Sequence, residues 1–241
     1  MKKTLLLSTV IALLSLSFIS CKRNIVHGKG VATTEQRKVS KFNKVRISIP
    51  ADVTITTGEG ESYSLDINAK SNLHEYLHAE IVDGELRIYT NDIVLGKTDI
   101  NISIHTPSID ALELNGATES KIAGVLKNDK FNLEVNGASE VEIEELEVES
   151  FYADMSGASQ LDVHKGSAKN AVFDIAGAGE VKALNLICGD VKAEVSGAGE
   201  ISVHATEKLD ADISGAGTIE YKGTPKITSD ISGVGQLVNR N

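Results

Sequence analysis

The chain has 241 residues, with 24 Lys and Arg against 34 Asp and Glu, a net charge of −10. That acidity excludes a nucleic-acid binder, which needs basic stripes for phosphate, and argues against laying the body on an anionic lipid surface. No Trp, 3 Pro and 21 Gly point to a repetitive chain rather than an aromatic-anchored globule.

The first twenty residues read as a leader. Lys2 and Lys3 precede an apolar run from Leu5 to Ile19, too short for a stable membrane span. The run ends at Phe18-Ile19-Ser20-Cys21, a lipoprotein-type signal that would leave Cys21 as the lipidated N-terminus, although Leu is absent at −3. Cleavage would leave 22 basic and 34 acidic residues, a net of −12. Only Cys21 and Cys188 then remain, which excludes a disulfide framework. Cys188, in the apolar run "ALNLICGDVKA", reads as a small core residue. Residues 21–33 are polar and small and read as a tether.

From 34 to 106 the chain is strand-rich. "ISIPADVTI" (47–55) has two short alternating stretches around a turn-prone centre, like the later repeats. "IVDGELRIY" (81–89) places Asp83-Gly84 between alternating apolar residues, a hairpin signal. One helix is expected, "SNLHEYLHAE" (71–80). It holds His74-Glu75-x-x-His78, a formal zinc-protease pattern, but a two-turn helix with no third ligand at a telling spacing reads as a surface helix.

The last part, 107–241, is periodic. Small-residue tripeptides centre on Gly116, Gly137, Gly157, Gly177, Gly197, Gly215 and Gly233, spaced 21, 20, 20, 20, 18 and 18 residues apart. Such a period marks a solenoid. Two residues before each glycine stand Leu114, Val135, Met155, Ile175, Val195, Ile213 and Ile231. Apolar residues recur at four and six after it, the alternation of strands rather than helices. The expected fold is all-β: a parallel β-solenoid, right-handed β-helix-like, with rungs of about 20 residues. The N-terminal β-rich part would stack on it or continue it. The glycines would be its corners, stacked about 4.8 Å apart where only small residues fit. The residues just before them, Asn115, Asn136, Ser156, Ala176, Ser196, Ser214 and Ser232, could hydrogen-bond along the column. The tail "QLVNRN" is polar at Asn239. An uncovered solenoid end is a sticky edge, so either this tail or another subunit, a homo-oligomer, is expected to cover it.

Three chemistries compete on the outer surface. Glu113, Glu134, Asp154, Asp174, Glu194, Asp212 and Asp230 share one column three residues before the glycines, the best candidate for a polysaccharide-acting enzyme. Its regularity argues against catalysis. Glycine-rich turns invite calcium, but the G-G-x-G-x-D pattern is missing and stacked carboxylates would hold Ca²⁺ only weakly. Six glutamates between 140 and 149 read as a solvated strand face. No cofactor, metal site or catalytic residue is expected.

The ordered blocks "KFNKVRISIPADVTITTGE", "NLHEYLHAEIVDGELRIYT", "ISIHTPSIDALELNGATE" and the serial NGA/SGAG rungs resemble the auto-transporter adhesin head domain of the DUF2807 group of Bacteroidetes envelope proteins. The resemblance covers roughly residues 34–241 and implies an exported, all-β, solenoid-like protein with no catalytic residue to carry over. Two functions follow as expectations: an adhesin or glycan- or protein-binding lipoprotein, or a structural scaffold of the periplasm or outer membrane. Five Tyr, five Phe and no Trp disfavour sugar stacking and favour protein contact or scaffolding. Lys22, Arg23 and Asn24 after Cys21 favour a periplasm-facing anchor over surface export.

Overall fold

The computed structural model describes residues 24–58 and 60–241. The leader and Cys21 lie outside the described residues. In chain order the strands are β1 Asn24–Val26, β2 Ala32–Arg37, β3 Lys44–Ile47, β4 Ala51–Thr57, β5 Ser64–Lys70, β6 His78–Val82, β7 Glu85–Tyr89, β8 Ile93–Leu95, β9 Asn101–Thr106 and β10 Ala111–Gly116. They continue with β11 Thr118–Gly137, β12 Glu140–Gly157, β13 Gln160–Val163, β14 Gly166–Gly177, β15 Glu180–Gly197, β16 Glu200–Gly215, β17 Thr218–Lys222, β18 Lys226–Gly233 and β19 Gln236–Asn239. Among the described residues there is no helix, and seventeen strands form one sheet that coils on itself as a parallel β-solenoid.

Each rung has three runs. Face A ends at the corner glycine, for example Phe131–Gly137, which pairs in register with Phe151–Gly157. Face B follows the corner, as Glu140–Ile143 pairs with Gln160–Val163. A third run returns the chain, as Leu146–Val148 pairs with Gly166–Ala168. Side chains alternate in and out along every run, so a residue type that recurs at the rung period stacks on itself. The inward columns form one continuous core: Leu114, Val135, Met155, Ile175, Val195 and Ile213 are all buried, as are Val141, Leu161, Val181, Ile201 and Ile219. Phe131, Phe151 and Phe173 fill its wide part, with centroid separations of 5.8 and 5.6 Å, the first pair stacked and the second edge-to-face. The two 18-residue spacings are absorbed in the third run, where the register between β15 and β16 shifts around Ala183–Ile187 and Cys188–Asp190.

The first half joins the same sheet out of sequence order. β3 pairs in parallel with both β7 and β10, and β4 with both β9 and β11. The rung 44–57 is therefore sandwiched between 85–106 and 111–123, although it precedes both in the chain. Beyond it, β5 runs antiparallel to β9 and β2 antiparallel to β5, while β6 closes face A against β7. The β6–β7 turn is the Asp83-Gly84 hairpin; both residues have positive φ, 52° and 78°, the backbone of a type I′ turn.

Three expectations are corrected. Residues 71–76 form consecutive turns, and 78–82 is strand β6, not the end of a helix. Leu73 and Leu77 supply the i,i+4 apolar spacing that mimics a helix, but both are buried in the core and only the Leu77 amide reaches back four residues, to the Leu73 carbonyl. A segment this short cannot hold a helix against that packing. His74 instead points its Nε2 at the Thr33 carbonyl, 3.0 Å away, and His78 lies against Tyr89, so the two do not share a helix face. Secondly, the tether stretch is not free chain throughout: β1 pairs in parallel with β8 because Val26 and Leu95 both find the core. Thirdly, the tail does not fold over the solenoid end. It is clamped sideways, with the Asn241 amide group bonded to Gly223 in both directions at 2.7 Å and Arg240 paired with Glu220. All eight residues of β18 are exposed, Ile227 and Ile231 included.

Candidate functional site: an outer face of stacked carboxylates

The corners are where the architecture is most demanding. All seven corner glycines have φ between 106° and 138°, a region in which an L side chain is strained. The carbonyl oxygen of each corner lies directly over the next glycine. At Gly177, for instance, an added Cβ would collide with the Gly157 carbonyl, which already accepts the Ala178 N–H at 2.9 Å. A second corner column, two residues later, escaped the sequence reading: buried Thr118, Ser139 and Ser159 give way to Gly179, Gly199, Gly217 and Gly235. It is small because it is pressed from two sides: a Cβ at Gly199 would meet Ile175 Cγ2 at 2.8 Å and the Gly179 carbonyl at 3.0 Å.

With the corners fixed, face A presents its outward columns as straight rows. Glu113, Glu134, Asp154, Asp174, Glu194, Asp212 and Asp230 are consecutive register partners, so seven carboxylates stand on one line. Like charges directly opposite one another are unfavourable, and the structure relieves only part of the row. Arg46 and Arg87, register partners one and two rungs further on, cap its N-terminal end. Arg46 pairs with Glu113 at 2.7 Å and with Glu85 at 3.2 Å. Burial opposes ionisation of Glu85, but Arg87 and Arg46 outweigh it and hold the carboxyl below the usual range. Asn115 and Asn136 donate to Glu113 and Glu134 in their own rungs, and Asn136 also donates to Asn115 at 3.2 Å. The expected hydrogen-bonded column before the corners thus exists at its asparagines.

Further along, compensation thins. Lys192 reaches Glu194 at 3.0 Å. Burial first, then Glu194 and Asp154, push the Asp174 carboxyl above its ordinary range, with Lys192 opposing. Burial, then Asp210 and Glu194, do the same to Asp212. Over the last rungs the row borders a shallow open groove of about 290 Å³, lined by Glu194, Ser196, Asp212, Ser214, Asp230 and Ser232. Tyr152, with its hydroxyl 3.4 Å from Asp154, adds a partly exposed aromatic to the face.

The other acidic stretch differs. Between 140 and 149 the glutamates meet cations from neighbouring rungs: Lys121 bridges Glu142 and Glu144, Lys127 holds Glu147, and Lys165 holds Glu145, at 2.6 to 3.1 Å. Glu144 also accepts the Gly124 N–H, and this with Lys121 lowers its pKa. Three lysines thus pair four of these six glutamates. Glu140 instead continues a shorter acidic row on face B, in register with Glu119 and, beyond it, Asp52, while the row on face A is the longer one. Among the described residues no group of three or more His, Cys, Asp or Glu is arranged to hold a metal ion. Cys188 is 1% exposed, and burial pushes its thiol up to about 12, far from a reactive thiolate.

Comparison with known proteins agrees with this architecture. A putative adhesin from Bacteroides fragilis superposes with a TM-score of 0.82 at 25% identity, covering 89% of this chain and 99% of that one. Putative adhesins from Parabacteroides distasonis and Parabacteroides merdae share the fold at 22% and 20% identity, with TM-scores of 0.71 and 0.73, each covering 90% of this chain and 100% of the other. No curated protein matches the chain. The family described as "Putative auto-transporter adhesin, head GIN domain", DUF2807, matches residues 41–225, and this chain belongs to it.

Proposed function

We propose that the protein is a non-enzymatic, adhesin-like binding module of the cell envelope, tethered by lipid on Cys21, and that face A is its contact surface. The observation that carries this is the unbroken register of seven outward carboxylates beside a serine-rich column. Such a row repeats one chemical motif at the rung spacing of about 4.8 Å. It suits an extended partner that presents cationic groups at intervals, and with Tyr152 the only aromatic on the outer side of its seven rungs among the described residues, it suits a protein strand better than stacked sugars. Against the alternative of a polysaccharide-acting enzyme stands the sameness of the row. Acid–base catalysis separates two carboxyls by giving them different environments, whereas Asp174 and Asp212 are pushed the same way.

The test is binding of the mature chain to arrays of matrix proteins and glycans, with and without Ca²⁺. The expected result is saturable, selective binding that weakens with salt and in the Asp174→Asn/Asp212→Asn variant. A blank array would shift the reading to an envelope scaffold. Protease shaving of intact cells separates the two by location: an adhesin is digested, whereas a periplasm-facing scaffold, the orientation Lys22 and Arg23 favour, is protected.

A further inference from the structure

We infer that the N-terminal tip of the solenoid is a bilayer-seating surface, so that the coil stands end-on upon the membrane that holds its lipid. This rests on the reading of Cys21 as lipidated. Three aliphatic side chains at the tip point into solvent: Ile25 is 61% exposed, Val31 72% and Val94 37%. Ile25 and Val94 are register partners of the β1–β8 ribbon and share its outer face, while Val26 and Leu95 turn inward. Val31 lies five residues beyond Val26, across the short segment 27–31, which is tied to the same ribbon by the Gly96 N–H on the Val26 carbonyl and to the 70–72 turn by the Ser71 N–H on the Val31 carbonyl. This apolar patch begins at Ile25, four residues after Cys21. Four residues span at most about 14 Å, so an acyl chain on Cys21 would bring the patch to the interface.

The charge does not oppose this seat. The whole-chain balance of −10 conceals a segregation: residues 22–106 carry 11 Lys and Arg against 11 Asp and Glu, and residues 107–241 carry 11 against 23. Within the first part, residues 22–44 hold seven cations, Lys22, Arg23, Lys29, Arg37, Lys38, Lys41 and Lys44, against one acid, Glu35, which Arg37 binds at 2.8 Å. The neighbouring residues 64–99 hold Asp66, Glu75, Glu80, Asp83, Glu85, Asp92 and Asp99 against Lys70, Arg87 and Lys97, so the tip as a whole is near neutral, with its cations concentrated in the N-terminal segment. The carboxylate row starts two rungs further in and runs away from the tip. Basic residues beside an apolar patch add to a lipid chain that anchors weakly alone. Nine face A strands from β7 to β18 at about 4.8 Å each put the last rung about 40 Å from the bilayer, with face A clear of it.

The absence of Trp gives a clean reporter. Full-length protein is expressed with its leader, its N-terminal peptide weighed for acylation, and the lipoprotein reconstituted into vesicles of phosphatidylethanolamine and phosphatidylglycerol, with and without bromine-labelled acyl chains. The Val31→Trp and Ile25→Trp variants are each compared with Val234→Trp at the far end. Expected is blue-shifted emission quenched by bromine for the two tip variants, and aqueous, unquenched emission for Val234→Trp. Aqueous emission from all three in an acylated, vesicle-bound protein would overturn the seat while leaving the anchor intact. Quenching of all three would mean the coil lies flat, and blue-shifted but unquenched tip emission would mean protein covers the patch; both refute a lipid seat. A missing acyl mass would instead remove the anchor on which the seat depends. Far-UV circular dichroism of each variant confirms that the coil is intact.

Discussion

Replacing Gly177 with Ala isolates the force that shapes the corners. Two costs combine there. At φ +131°, an L side chain costs roughly 1–3 kcal/mol in backbone strain. The new methyl must also displace the Gly157 carbonyl, which accepts the Ala178 N–H at 2.9 Å; losing that ladder bond adds about 1 kcal/mol, more if the groups stay buried and unpaired. The expected total is about 2–4 kcal/mol. Gly116 supplies the control. Its φ is +138°, in the same region, yet nothing lies within 4 Å of the position its Cβ would take, because it is the first corner of its column. Gly116→Ala should therefore cost only the strain, about 1–3 kcal/mol. Gly58, with ordinary φ and open space, should tolerate Ala with a change inside about 0.5 kcal/mol. Urea and thermal unfolding followed by far-UV circular dichroism would rank the three, with midpoints compared directly because stacked repeats need not unfold in one step. Equal losses at Gly116 and Gly177 would refute the stacking argument and leave backbone conformation alone as the reason for glycine.

Other outcomes follow from the same geometry. The Asp174 and Asp212 carboxyls are raised in the folded state, so it binds their protons more tightly than the unfolded chain does. The stability they supply is full below the ordinary carboxylate range and is lost as pH rises through it towards the raised values. Asp174→Asn/Asp212→Asn should accordingly stabilise the fold at neutral pH, by about 0.2–1 kcal/mol per like-charged pair removed, and lose that advantage in acid; a gain that does not change with pH would contradict this. Phe151→Ala removes the ring packed between Phe131 and Phe173 and should cost about 3–5 kcal/mol in the same unfolding assays. Cys188 should resist maleimide in the native state and react on unfolding, with mass spectrometry as the readout; prompt labelling of native protein would show that the third run of its rung opens readily.

By itself the sequence determined the repeating half of this protein. In a parallel, in-register coil every column stacks on its own next copy, so a residue type recurring at the rung period is also a contact. That is why the alternating apolar positions, the corner glycines and the carboxylate row could be read without coordinates. The second small column was visible in principle as Thr118, Ser139, Ser159 and Gly179, but its change from hydroxyl to glycine hid a shared steric demand. Only the tertiary structure decided what lacks a repeat. The place of rung 44–57 between two later segments depends on pairings some 40 to 70 residues apart, which periodicity cannot order. The turn at 71–76 looked helical because Leu73 and Leu77 satisfy two geometries, and burial chose between them. The arginine cap on the carboxylate row arises because β7 and β3 happen to align Arg87 and Arg46 with Glu113, a coincidence of register that exists only once the coil has closed.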